Sequence, residues 1–85
     1  MAPPPKSVKL ADGASKAIAT ADPPLKETLK EAIREIANSP LIGKALKGQL
    51  KGLRSYRVGK YRITYSFTER SLEVASIKHR KDAYR

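Results

Sequence analysis

With 85 residues, 18 Lys+Arg against 8 Asp+Glu and a formal net charge of +10, the chain has room for one small domain and not for two. It has no cysteine, which excludes disulfide staples and thiolate metal sites and fits a reducing compartment. No apolar run approaches the roughly 20 residues that cross a bilayer, and the start, Met1 to Lys6, lacks the apolar core of a secretory signal, so a cytoplasmic protein with no membrane partner is expected.

Residues 1–6, with Pro at 3, 4 and 5, read as a flexible leader, and residues 7–85 as a single domain. Ser7–Leu10 fits a short strand. Ala11–Thr20 is Ala-rich and helix-compatible, although Gly13 weakens it. Asp22-Pro23-Pro24 reads as a helix start, with Asp22 as cap and proline where a missing N–H costs nothing. From there Leu25, Leu29, Ala32, Ile33 and Ile36 recur at helical spacing and make one apolar stripe, to about Ala37. Asn38-Ser39-Pro40 ends the helix, because a residue before proline avoids the α region. Residues 41–52, with three glycines and three lysines, are expected to form a mobile basic loop.

The last third reads as strands. In Lys60–Phe67 the residues Tyr61, Ile63, Tyr65 and Phe67 share one face, and Lys60, Arg62, Thr64 and Ser66 share the other. Leu53–Val58 precedes it across a tight reversal at Val58-Gly59-Lys60, with Tyr56 and Val58 inward and Ser55 and Arg57 outward. Ser71–Lys78 is a further strand whose alternation fails between Val74 and Ile77; a bulge or burial on both faces would explain that. The expected architecture is α+β, β-α-α-β-β-β, an antiparallel sheet with helices on one face.

The charge is uneven. Residues 1–46 hold 7 basic and 5 acidic side chains, and residues 47–85 hold 11 and 3, a net of +8. Nucleic acid is the first partner such a half suggests, an acidic protein segment the second, and a merely soluble surface the bland alternative. The tyrosines at strand spacing are core residues before they are base-stacking platforms. Arginines on an uncovered sheet face are better evidence, because guanidinium matches phosphate oxygens bidentately.

The segment Arg57-Val58-Gly59-Lys60-Tyr61-Arg62-Ile63-Thr64-Tyr65, a short strand, and then His79-Arg80-Lys81-Asp82-Ala83-Tyr84-Arg85 together resemble the RelE/ParE toxin superfamily, most of all its RelE-like branch. Residues 40–53 resemble the lead into that branch's second strand. The resemblance implies a type II toxin that enters the ribosomal A site and cuts mRNA there. The 2′-hydroxyl attacks the adjacent phosphate without metal or other cofactor, leaving a cyclic phosphate. It also implies three partners: mRNA, the ribosome and a cognate antitoxin protein. By the same resemblance Arg57 and Arg62 clamp the phosphate, Arg80 stabilises the transition state, and Tyr84 stacks on or orients a base. His79 is a candidate general acid or base, since histidine titrates near neutral pH. Lys47, Lys51, Arg54, Lys60, Lys78, Lys81 and Arg85 are the expected RNA and ribosome contacts. The general base stays unassigned: Ser55 stands where relatives often carry a basic residue, and Lys47 or Lys51 could substitute. Two other functions stay open, a ParE-like gyrase poison and a nucleic-acid-binding module without activity.

Overall fold

The computed structural model describes residues 7–79. The expected leader, residues 1–6, and the expected site residues Arg80, Lys81, Tyr84 and Arg85 lie outside the described residues.

The chain begins with strand β1, Ser7–Leu10, followed by helices α1, Asp12–Ala19, and α2, Pro23–Asn38. Asp22 occupies the cap position of α2 in extended backbone, yet its side chain makes no capping bond. Pro23 and Pro24 fill the first two helical positions and remove the second-position N–H, one of the two donors a cap side chain can bond. The backbone carbonyl of Asp22 instead receives the Lys26 N–H at 2.8 Å. At the other end Ser39, at φ −142° and ψ 76°, breaks the helix before Pro40, as the sequence predicts.

The expected mobile loop is more ordered than its glycines suggest. It holds a 3₁₀ turn at Pro40–Ile42, a two-residue strand β2 at Lys44–Ala45, and a second 3₁₀ turn at Gly48–Leu50. Strands β3, Arg54–Val58, β4, Tyr61–Phe67, and β5, Ser71–His79, complete the sheet. Gly59, at φ 58°, takes the first position of the two-residue turn between β3 and β4, a conformation that glycine adopts without steric cost.

Five strands, not four, form the sheet, in the order β1-β5-β4-β3-β2. It is antiparallel except at one edge, where β1 runs parallel to β5 with Val8 opposite Leu72 and Leu10 opposite Val74. A parallel neighbour needs a crossover connection, and the rest of the chain, both helices included, lies between these two strands in sequence.

Both helices cover one face. Ala14 of α1 and Leu29, Ala32, Ile33 and Ile36 of α2 meet Ile63 and Tyr65 of β4 and Leu72, Val74 and Ile77 of β5 in one buried cluster. Leu25, Tyr56, Val58, Tyr61 and Phe67 pack around it, half-buried. Fully burying one such aliphatic side chain stabilises by about 1.5–3 kcal/mol. The broken alternation of β5 is a bulge: Thr64 pairs with Ser76 but Tyr65 with Val74, so Ala75 is the extra residue. The bulge lets Leu72, Val74 and Ile77 all turn inward. It also decides the parity of everything after it: Lys78 turns to the open face and His79 to the helix side.

Candidate nucleic-acid interface

The face that the helices leave uncovered is built by register. In the β3–β4 hairpin Arg57 is opposite Arg62, and across the next ladder Arg62 is opposite Lys78. Three cations thus stand in one row over three neighbouring strands. Because the turn has two residues, Arg57 and Arg62 fall at a narrow, non-hydrogen-bonded position, where Cα atoms approach within about 4.5 Å and side chains lie close. Like charges directly opposite one another destabilise a sheet, so nothing in folding favours this row.

One step along the strands lies a second row. Lys44 of β2 is opposite Ser55, Ser55 opposite Thr64, and Thr64 opposite Ser76. Lys44, Ser55, Arg57 and Arg62 line a groove of about 490 Å³, walled by Ile42 and Leu46 and reached at the strand edge by Tyr56, whose hydroxyl bonds Glu35 on the covered side. Beyond Leu46 a second groove, of about 540 Å³, carries Lys47 and Lys51 between Gly48, Gly52 and Phe67. Lys60 sits in the hairpin turn, where it shares a small hollow with Arg57 and Arg62. Lys60 thus adjoins the Arg57–Arg62 pair, whereas the groove with Lys47 and Lys51 is lined also by Arg54 and Phe67, whose parity is that of the covered side.

Two expected site residues are turned elsewhere. Arg54 shares the parity of Tyr56, on the covered side of the sheet. Its Nε donates to the carbonyl of Gly43 at 2.9 Å and its Nη2 to the carbonyl of Leu41 at 3.2 Å. Those bonds tie the 3₁₀ turn to β3, so Arg54 acts as a structural clamp instead of a free basic contact. His79 faces the helices, opposite Tyr61 in register. The two rings meet edge to face at 5.1 Å and 86°. His79 lines a recess with Thr20, Asp22 and Leu25, on the far side of the sheet from Arg57 and Arg62; Lys78, at the strand end, borders it too.

Behind the open face, two tyrosine hydroxyls hold the scaffold. Tyr65, fully buried, donates to the carbonyl of Pro40 at 2.6 Å and accepts the Gly43 N–H at 2.9 Å. Tyr56 donates to Oε2 of Glu35 on α2 at 2.9 Å. That bond to a carboxylate, aided by partial desolvation, raises the Tyr56 hydroxyl above its ordinary value near 10.

Lys44 is the groove residue that sequence reasoning missed. Its strand has two residues and no periodicity; only the pairing with β3 assigns its face.

The family described as "ParE toxin of type II toxin-antitoxin system, parDE" matches residues 8–84. No curated protein matches the chain in sequence. Among solved structures the chain is similar to the toxin–antitoxin complex RelBE2 from Mycobacterium tuberculosis, with 26% identity, a TM-score of 0.78, and 89% of this chain and 92% of that one covered. Two others share the fold at lower identity. The YoeB/ParE toxin from Agrobacterium tumefaciens has 20% identity, a TM-score of 0.74, and 86% and 96% covered. The intact RelBE toxin–antitoxin complex of E. coli has 19% identity, a TM-score of 0.72, and 87% and 95% covered. Covered almost end to end by that family model, the chain belongs to the ParE toxin family of type II toxin–antitoxin systems, within the RelE/ParE superfamily.

Proposed function

We propose that this protein is a toxin that cuts mRNA on the ribosome, in the cytoplasm, and that a cognate antitoxin holds it inactive. The observation that carries this reading is the Arg57–Arg62–Lys78 row, three like charges aligned on an open face against the interest of folding. A polyanion is what offsets that repulsion. Resemblance to the RelE-like branch supplies the reaction. The 2′-oxygen forms a bond to the adjacent phosphorus while the bond to the 5′-oxygen breaks. One proton leaves the 2′-hydroxyl and one reaches the departing 5′-oxygen, giving a 2′,3′-cyclic phosphate and a free 5′-hydroxyl. Charge gathers on the non-bridging oxygens, and Arg57 and Arg62 are the groups to meet it. Arg80 is proposed as a third cation and Tyr84 as the group that orients the base. His79, on the helix side of the sheet, is set aside.

The antitoxin rests on the family and on relatives such as the RelBE2 and E. coli RelBE structures, both toxin–antitoxin complexes. Among the described residues no helix is long and apolar enough to cross a membrane.

The match to a ParE family model favours one alternative, a toxin that poisons DNA gyrase without cutting RNA. A translation reaction with purified ribosomes and a defined mRNA, run beside a gyrase assay, separates the two. Cut mRNA with a cyclic phosphate end is the expected result. Intact mRNA together with trapped gyrase–DNA complexes would establish the alternative.

A further inference from the structure

We infer that Lys44 is a substrate-phosphate contact of this site, brought to it from the neighbouring strand. The inference rests on the RNA-cutting reading and adds a residue to it. Lys44 is opposite Ser55, and both line the groove that holds Arg57 and Arg62. Ser55 and Arg57 are two residues apart on β3, so the Lys44–Ser55 row runs parallel to the arginine row at about 6.8 Å. On β3 and β4 that row offers only the short hydroxyls of Ser55 and Thr64. The cation at this level of the groove therefore comes from β2. An extended RNA strand held by Arg57 and Arg62 and lying along the groove meets the Lys44 ammonium one step further on. Ile42 and Leu46 give the groove an apolar wall, which strengthens a charge contact made against it.

The competing explanation is an ordinary one. β2 is an edge strand, and an exposed edge lysine discourages pairing with other chains. Such a lysine would have no effect on RNA.

The test uses the full chain with Lys44→Ala, Lys44→Arg, and Lys44→Ala combined with Ser55→Lys, and with Lys16→Ala on the far side of α1 as control. Two quantities are read: the rate of mRNA cutting on ribosomes, and the salt dependence of binding to a single-stranded oligoribonucleotide. Lys44→Ala should cut about tenfold slower or worse, while Lys44→Arg stays within about threefold of the parent. Ser55→Lys places an ammonium at the same height on the same face and should restore most of the lost rate. The slope of log affinity against log salt should fall by about 0.7 in Lys44→Ala and stay unchanged in Lys16→Ala. Cutting within about twofold of the parent with an unchanged slope overturns the inference. So does a loss in Lys44→Ala that Ser55→Lys leaves unrepaired while the unfolding curve matches the parent's. If the parent chain cuts no mRNA, the RNA-cutting reading fails by itself. The binding slope then decides Lys44 alone: a reduced slope upholds the phosphate contact and an unchanged one overturns it.

Discussion

Arg57 of β3 and Arg62 of β4 face one another directly across the hairpin, on the side of the sheet that no helix covers. Neither is needed for the core, which Tyr56, Val58, Tyr61 and Ile63 serve from the opposite face of the same two strands. The hairpin therefore has two independent jobs, divided by strand parity. Its inner face holds α2 in place. Its outer face concentrates charge that the folded state would be more stable without.

That division makes stability and activity move in opposite directions. Arg62→Ala relieves repulsion with both Arg57 and Lys78, so the unfolding free energy should stay level or rise by about 0.2–1 kcal/mol. Cutting should meanwhile fall by about 10²–10³, the usual cost of one preorganised donor to transition-state charge. Denaturant unfolding and a ribosome-dependent cleavage assay measure the two. A variant that loses activity only because it unfolds would contradict the assignment.

The buried contact between Tyr65 and Gly43 offers a second test. A Cβ on Gly43 would stand 2.5 Å from the Tyr65 hydroxyl and 2.9 Å from its ring. Gly43→Ala should thus destabilise by forcing the ring off its bonds to Pro40 and Gly43. Tyr65→Phe leaves those two backbone groups unpaired in the interior, at about 1–3 kcal/mol. The two changes act on one contact. Their combined cost in a double-mutant cycle should fall clearly below the sum of the single costs.

How much of this was legible in the sequence depends on distance along the chain. The α2 stripe from Leu25 to Ile36 and the inward Tyr61, Ile63, Tyr65 and Phe67 follow from local periodicity, and the structure agrees with them. Strand β2 was not legible, because two residues carry no period and only the partners Ser55 and Arg54 make them a strand. The parallel docking of β1 on β5 was hidden for a related reason: hydrophobic alternation assigns a face and says nothing about neighbours. For the site, parity was the decisive signal. It sets Arg57 and Arg62 outward. Applied equally to Arg54, one step out of phase with Arg57, and to His79, two residues beyond the inward Ile77, it would have moved both off the RNA face.

The Tyr56–Glu35 bond predicts a pH dependence at the alkaline end. Its hydroxyl is raised above 10 by the hydrogen bond to the Glu35 carboxylate first, then by desolvation and by the carboxylate's charge. The folded state thus holds this proton more tightly than the unfolded chain does. The stability it contributes is complete below the unfolded value near 10 and is lost as pH rises through the higher folded value. The comparison is with Tyr56→Phe, which differs from the parent in this hydroxyl alone. The parent's unfolding free energy should drop more steeply above pH 10 than the variant's, and the gap between them should close.

His79 supplies the last prediction, because the structure separates it from the chemistry that the sequence suggested for it. A histidine acting as general acid or base leaves an inflection in the pH–rate profile between about pH 5 and 8. The ring of His79 instead lies edge-on to Tyr61, on the helix side of the sheet, while Arg62 and Lys78, its neighbours in the ladder, point the other way. His79→Gln should therefore keep the shape of the cleavage profile and hold the rate within about threefold. What it should change is the end of the sheet, where the Tyr61 contact is lost and β5 frays: a small drop in unfolding midpoint, and faster amide exchange at Ile77 and Lys78. An inflection present in the parent and absent in His79→Gln would return the imidazole to the reaction. It would also require β5 to turn its end over before the RNA is cut.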